Sequence, residues 1–162
     1  MKNLFIRSPL FYMGDKYKLL PELAPLFPGK INNFIEPFTG GGSVFLNIDA
    51  NHYILNDIDT HIINIHKLLN YHSSKSYLFF KDIKKIILKF NLSRSYKENI
   101  VPENLKAKYP KTYYAHFNKP GYLILRDQFN NEKEKDYLKL YVLLIYGFNR
   151  IMRFNSMGNF NL

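Results

Sequence analysis

The stretch that most constrains the fold is Phe34-Ile35-Glu36-Pro37-Phe38-Thr39-Gly40-Gly41-Gly42-Ser43, followed by Val44-Phe45-Leu46. An apolar run closed by an acid, a proline turn, three glycines and a new apolar run read as a short buried strand, a tight loop and a helix start. Glycines in such a loop let the backbone reach positive φ and let a ligand approach the main chain closely. Glu36, at the strand's end, can accept hydrogen bonds from a ligand's hydroxyl or ammonium groups. Taken alone, the run is equally a plain turn. The next segment narrows the choice. Tyr53-Ile54-Leu55-Asn56 reads as a second strand ending at Asp57. An acid about 20 residues past the first strand is where a βαβ nucleotide site places its ribose-binding carboxylate. Asp57 then faces the same crevice as the glycines.

The flanking segments predict an α/β class. Residues 1–14 are expected to be extended or irregular, and a helix from Lys16 to Phe27 is interrupted by Pro21 and Pro25. Strand Phe34–Glu36, a helix over Gly42–Ile48, strand Tyr53–Asn56 and an amphipathic helix over Thr60–Leu69 make a β-loop-α-β-α unit. That is the opening of a doubly wound, Rossmann-like sheet, with its ligand at the carboxyl ends of the strands. From about Ser74 the chain becomes lysine-rich, helical and aromatic. Phe79, Ile83, Ile86, Ile87 and Phe90 share one helical face. Asn91–Asn104 is polar and predicts a mobile loop. Tyr122–Phe129 and Glu134–Tyr146 read as two more helices, the second apolar all round and so buried, with Gly147 ending it as a C′ residue.

Composition limits the partners. A net charge of +10 in 162 residues points to an anionic partner, nucleic acid before membrane surface. With no cysteine there is neither a disulfide framework nor a thiolate metal site. The five histidines lack ligand spacing and read as partly exposed surface residues, so no metal is expected. No apolar run approaches 18 residues and the N-terminus has no signal-like segment, which predicts a cytoplasmic protein.

Three motifs carry a resemblance. Glu36-Pro37-Phe38-Thr39-Gly40-Gly41-Gly42-Ser43 is not the dinucleotide fingerprint Gly-x-Gly-x-x-Gly; it resembles the S-adenosylmethionine motif of the DNA adenine methylase family. Pro9-Leu10-Phe11-Tyr12-Met13-Gly14-Asp15-Lys16 is similar to that family's aromatic-x-Gly-Gly-Lys motif. Gly147-Phe148-Asn149-Arg150-Ile151-Met152-Arg153-Phe154-Asn155 is similar to its target-recognition segment, and Arg126 with Phe129-Asn130 echoes its Arg-x-x-Phe-Asn pattern. The resemblance implies S-adenosylmethionine as cofactor and double-stranded DNA as partner. It places Tyr12, Lys16, Glu36, Phe38, Gly40, Gly42 and Ser43 around the cofactor, Asp57 on its ribose and Ile58 against its adenine. Of Phe148, Asn149, Arg150, Arg153 and Asn155 in the DNA-facing segment, Arg153 would read guanine and Phe148 would wedge beside a flipped adenine. Without the resemblance, Tyr12 is a core tyrosine, Lys16 a solvated lysine, and the last segment a surface loop with two solvated arginines.

The family's Asp-Pro-Pro-Tyr, which holds the extruded adenine's amino group against the cofactor's methyl, does not occur in this sequence. The expectation is therefore a cofactor-binding portion (residues 1–72) and an incomplete helical recognition subdomain (residues 73–162). Such a chain is a fragment or split half, inactive alone and completed by a second chain. Two other readings stay open. One is a non-catalytic basic DNA-binding module; the other is a dinucleotide-dependent oxidoreductase, which the missing Gly-x-Gly-x-x-Gly disfavours.

Overall fold

The computed structural model describes residues 5–94 and 100–161. These divide into two compact units, one up to Lys67 and one from Leu68 onward.

The first unit is built on two parallel strands, β1 (Asn33–Glu36) and β2 (His52–Leu55), paired with Phe34 opposite Tyr53 and Ile35 opposite Ile54. Before them the prolines do what their chemistry requires. The expected helix is broken into a 3₁₀ turn (Tyr17–Leu19), the single α-turn α1 (Leu20–Leu23, with Pro21 near its start) and a second 3₁₀ turn (Ala24–Leu26). Phe34 anchors the inner face of the sheet, its ring 5.7 Å from Phe27 and 6.0 Å from Tyr53. On the other face Ile35 and Ile54 lie side by side and more than half exposed. Helix α2 (Thr60–His72) follows β2 and runs past Lys67 into the second unit. Its Ile62 and Ile65 are fully buried.

One expected element is absent. Residues 42–48 form no α-helix; only Phe45–Asn47 turn, as a 3₁₀ segment. In an α-helix the Asn47 N–H would donate to the Ser43 carbonyl. Instead the Asn47 side-chain amide takes that carbonyl at 2.8 Å and its backbone N–H donates to Val44 O at 2.9 Å. A side chain competing with its own backbone stops the helix before it propagates.

The second unit is helical: α3 (Ser76–Lys89), α4 (Glu103–Lys108), α5 (Tyr113–Asn131) and α6 (Tyr137–Tyr146). Phe79, Ile83 and Ile87 form the buried face of α3, as their spacing predicts. Helix α5 begins at Tyr113 rather than Tyr122 and continues through Pro120. Packing holds it there: at Gly121 the helix passes so close to α3 that a Cβ would lie 1.8 Å from the Phe90 carbonyl oxygen. The expected mobile loop is also corrected where it is described. Leu92 and Ser93 are buried, Asn118 bonds the Ser93 N–H (2.7 Å) and hydroxyl (2.9 Å), Tyr146 donates to its carbonyl (2.6 Å), and α4 starts at Glu103. Residues 95–99 lie outside the described residues.

Helix α6 starts later than Glu134 because Asp136 caps it, accepting from Leu138 N–H at 2.9 Å and Lys139 N–H at 3.4 Å. It buries Leu140, Val142, Leu143 and Leu144 but leaves Ile145 exposed, so it is not apolar to the core on every side. Gly147 is not a left-handed C′ residue. Its φ of −72° and ψ of 156° are extended, and a Cβ there would come 2.8 Å from the Leu143 carbonyl oxygen. Close approach, not positive φ, is what calls for glycine at this position.

Candidate functional site

At the carboxyl ends of β1 and β2 the first unit forms a cleft of about 300 Å³. Tyr12, Lys16, Glu36, Phe38, Gly40, Gly42, Ser43 and Asp57 line it, together with Met13–Asp15, Thr39, Gly41 and Val44. Ile58 stands apart from that lining, almost fully exposed on the loop after Asp57.

The glycine loop is held from several sides. Thr39 N–H donates to Asn56 O at 2.9 Å, which ties the loop's entry to the end of β2. Gly40 N–H donates to Asp57 Oδ2 at 2.8 Å, and Asp57 Oδ1 accepts the Asp59 N–H at 3.0 Å. The Gly40 carbonyl accepts from His66 Nε2 at 2.8 Å. Gly40 and Gly42 have φ of +47° and +81°. A Cβ on Gly40 would meet the Tyr12 ring at 2.9 Å, and one on Gly42 would meet Phe45 at 2.3 Å and His66 at 2.8 Å. Both conformation and space therefore require glycine here.

The charged groups are arranged unevenly. Glu36 is half-desolvated, and burial pushes its carboxyl up to about 7 against the one opposing contact, the Phe45 N–H at 3.2 Å. Tyr12 is raised by burial first and by the nearby Asp57 and Asp59 carboxylates second. Lys16 is turned to the Gly14 carbonyl at 2.6 Å. Ser43 is buried and donates to Asp15 Oδ1 at 2.9 Å. Asp15 stands where the aromatic-x-Gly-Gly-Lys motif has its second glycine, and its structural part went unread in the sequence. So did that of His66, which is half-buried on α2. Its spacing from Ile62 on α2, one helical turn, was the available signal. Burial lowers the His66 pKa, while the Gly40 carbonyl and Asp57 pull it back.

In the second unit the segment after α6 begins with a tight turn in which Asn149 (φ 53°) and Arg150 (φ 54°) are both left-handed. Phe148, at its start, is 77% exposed, so its ring is available to a partner. Arg150 and Arg153 are exposed as well. Residues 153–161 then fold into a small hairpin, with Phe154 bridged to Phe160 and Asn161 N–H donating to Arg153 O at 2.9 Å. Asn155 builds its turn: the side-chain oxygen accepts from Met157 N–H at 3.0 Å and Asn159 N–H at 2.9 Å. Asn130 of α5 clamps the hairpin, accepting from Phe160 N–H at 2.8 Å and donating to Phe160 O at 3.1 Å. Lys135 caps the end of α5 on the Phe129 and Asn130 carbonyls.

Charge separates the units completely. Residues 1–67 hold six Lys/Arg and six Asp/Glu, whereas residues 68–162 hold seventeen against seven, so the whole excess of +10 falls in the second.

Residues 12–162 match the family described as D12 class N6 adenine-specific DNA methyltransferase. The chain belongs to that family. It is 33% identical over 159 residues to the type II methyltransferase M.FokI of Planomicrobium okeanokoites, covering 98% of this chain and 21% of that protein. With the DNA adenine methylase of Vibrio cholerae it is 31% identical over 158 residues, 96% of this chain and 47% of the relative. The Escherichia coli DNA adenine methylase gives 31% over 160 residues, 96% and 46%. The chain thus spans about half the length of the DNA adenine methylases it matches and about a fifth of M.FokI.

Proposed function

We propose that this chain is the cofactor-binding and target-reading portion of a DNA adenine-N6 methyltransferase with a Rossmann-like catalytic domain. Residues 1–72 bind S-adenosylmethionine and residues 73–162 read duplex DNA. The observation that carries the reading is the cleft at the strand ends. There a carboxyl lifted by desolvation, a glycine loop with no room for a Cβ at Gly40 or Gly42 and the Asp57 carboxylate lie together.

The residues fit the cofactor. Glu36 receives one backbone donor and, among the described residues, no cation offsets its desolvation; an ammonium group is the partner it lacks. Asp57 holds Gly40 and Asp59 with one bond to each oxygen and keeps acceptor capacity for ribose hydroxyls. Phe38 and Ile58, each more than 80% exposed beside the strand ends, offer apolar faces to an adenine ring. Tyr12 covers Gly40, Gly42 keeps the cradle open and Ser43 holds its wall through Asp15; Lys16 supplies positive charge at the rim. When bound, S-adenosylmethionine supplies an electrophilic methyl group. This chain's share of the chemistry is to hold and orient it.

In the second unit Arg153 reads a guanine edge, Arg150 contacts phosphate and Phe148 fills the stack opened by the flipped adenine. Asn149 shapes the turn that presents them and Asn155 the hairpin behind it. The target is a short duplex, with 5′-GATC as the first to test. Methyl transfer needs in addition the Asp-Pro-Pro-Tyr segment that the resemblance implies, to hold the extruded adenine's amino group. The test is to mix the purified chain with the downstream half of a relative and follow methyl transfer from labelled S-adenosylmethionine to GATC duplexes. Transfer by the mixture and not by either part supports the methyltransferase reading; a silent mixture refutes it.

A second reading rests on the uneven charge. With the whole excess of +10 in the second unit, the chain could serve as a DNA-binding module alone. It predicts duplex binding that is lost with salt and indifferent to S-adenosylmethionine, and cofactor-dependent binding counts against it.

A further inference from the structure

Resting on the cofactor reading, we propose that His66, which lies in none of the sequence motifs, is a positioning residue that sets the glycine loop for its ligand. Gly40 is gripped at both ends of one residue: Asp57 takes its N–H at 2.8 Å and His66 takes its carbonyl at 2.8 Å. A carbonyl can only accept, so the His66 ring carries its proton on Nε2. The ring is fixed in turn, edge-on to Phe45 at 5.4 Å, on a helix anchored by buried Ile62 and Ile65. Gly42 leaves the ring its place, since a Cβ there would reach His66 Cε1 at 2.8 Å.

The consequence is electrostatic as well as geometric. His66 does not line the cleft, whereas Gly40 does. A Gly40 carbonyl held by His66 points its partial negative charge away from the ligand space, which suits a ligand carrying a carboxylate. It also holds φ at +47°, a conformation glycine would otherwise leave freely. Asp57 faces the ring electrostatically and Gly40 through its carbonyl; both favour a proton on the ring while burial opposes a second one.

The test uses the full chain. Nitrogen-15 NMR of His66 without ligand reads the tautomer, and amide hydrogen exchange reads Gly40–Gly42. Calorimetry then gives the S-adenosylmethionine Kd for the unmutated chain, His66→Phe and His66→Gln. The expected tautomer is Nε2–H. His66→Phe, which keeps a ring but no donor, should speed loop exchange and weaken binding by about tenfold each, while His66→Gln restores most of both. An Nδ1–H tautomer, a Phe variant like the unmutated chain, or a Gln variant as poor as Phe overturns the proposal. The tautomer measurement stands even if the Phe variant fails to fold. If the unmutated chain binds no cofactor while loop exchange still follows the donor at position 66, the cofactor reading falls and the positioning role is upheld.

Discussion

The two units solve opposite problems with the same kind of device. The first is electrically neutral and holds a loop of three glycines; the second carries the whole positive excess and presents exposed arginines on a turn and hairpin. In each, a side chain distant in sequence pairs with a backbone peptide group. His66 and Asp57 grip Gly40, and Asn130 grips Phe160. Under the proposed function the first arrangement shapes a recess for a small polar ligand, where a few directed bonds decide affinity. Under the same proposal the second fixes a surface hairpin that meets a polyanion, where the summed charge sets affinity and one or two side chains set specificity.

The sharpest test of the second unit is Gly121→Ala. A Cβ placed 1.8 Å from the Phe90 carbonyl forces α5 away from α3, so a loss of more than ~3 kcal/mol is expected, seen as collapse of the helical unfolding transition. In the first unit, Asp57→Ala removes the Gly40 and Asp59 anchors together with the proposed ribose acceptor. Calorimetry should show S-adenosylmethionine affinity down by about a hundredfold or more, with duplex binding unchanged. An unchanged Kd would remove Asp57 from the site. Arg153→Ala should weaken target-duplex binding by about ten- to a hundredfold and relax the preference at one base pair, while leaving cofactor affinity alone. Equal losses on all sequences would make Arg153 a phosphate contact.

The mildest effect is that of pH on Glu36. Its carboxyl rises from 4.5 to about 7 on folding. The folded chain therefore holds that proton more tightly than the unfolded one, and the stability this contributes is complete below pH 4.5 and lost as pH rises through 7. A bound ammonium needs the ionised form, so cofactor affinity should fall as pH drops below about 7, approaching tenfold per unit. Glu36→Gln should flatten both profiles and raise the melting temperature at pH 8. Persistence of the affinity slope in that variant would assign the titration elsewhere.

Much of this was legible in the chain. The strand–loop–strand order, the α3 face and the grouping of Tyr12, Lys16, Glu36, the glycines and Asp57 follow from periodicity and turn chemistry, which act between near neighbours, and from the motif resemblance. The helix expected over residues 42–48 failed because one side chain, Asn47, takes the carbonyl a helix would need. Gly147 was read as a conformational glycine when contact with the Leu143 carbonyl decides it. Helix α5 runs on through Pro120 because its neighbours hold it.

What the sequence by itself determined is thus the neutral and basic halves, the loop's freedom and the chemistry available at the cleft. Only the tertiary structure decided which groups hold the loop and the hairpin. The pairs His66–Gly40 and Asn130–Phe160 join residues 26 and 30 apart. Hydrogen bonds at that separation leave no periodic trace, because they depend on where packing brings two elements and not on what stands beside either residue.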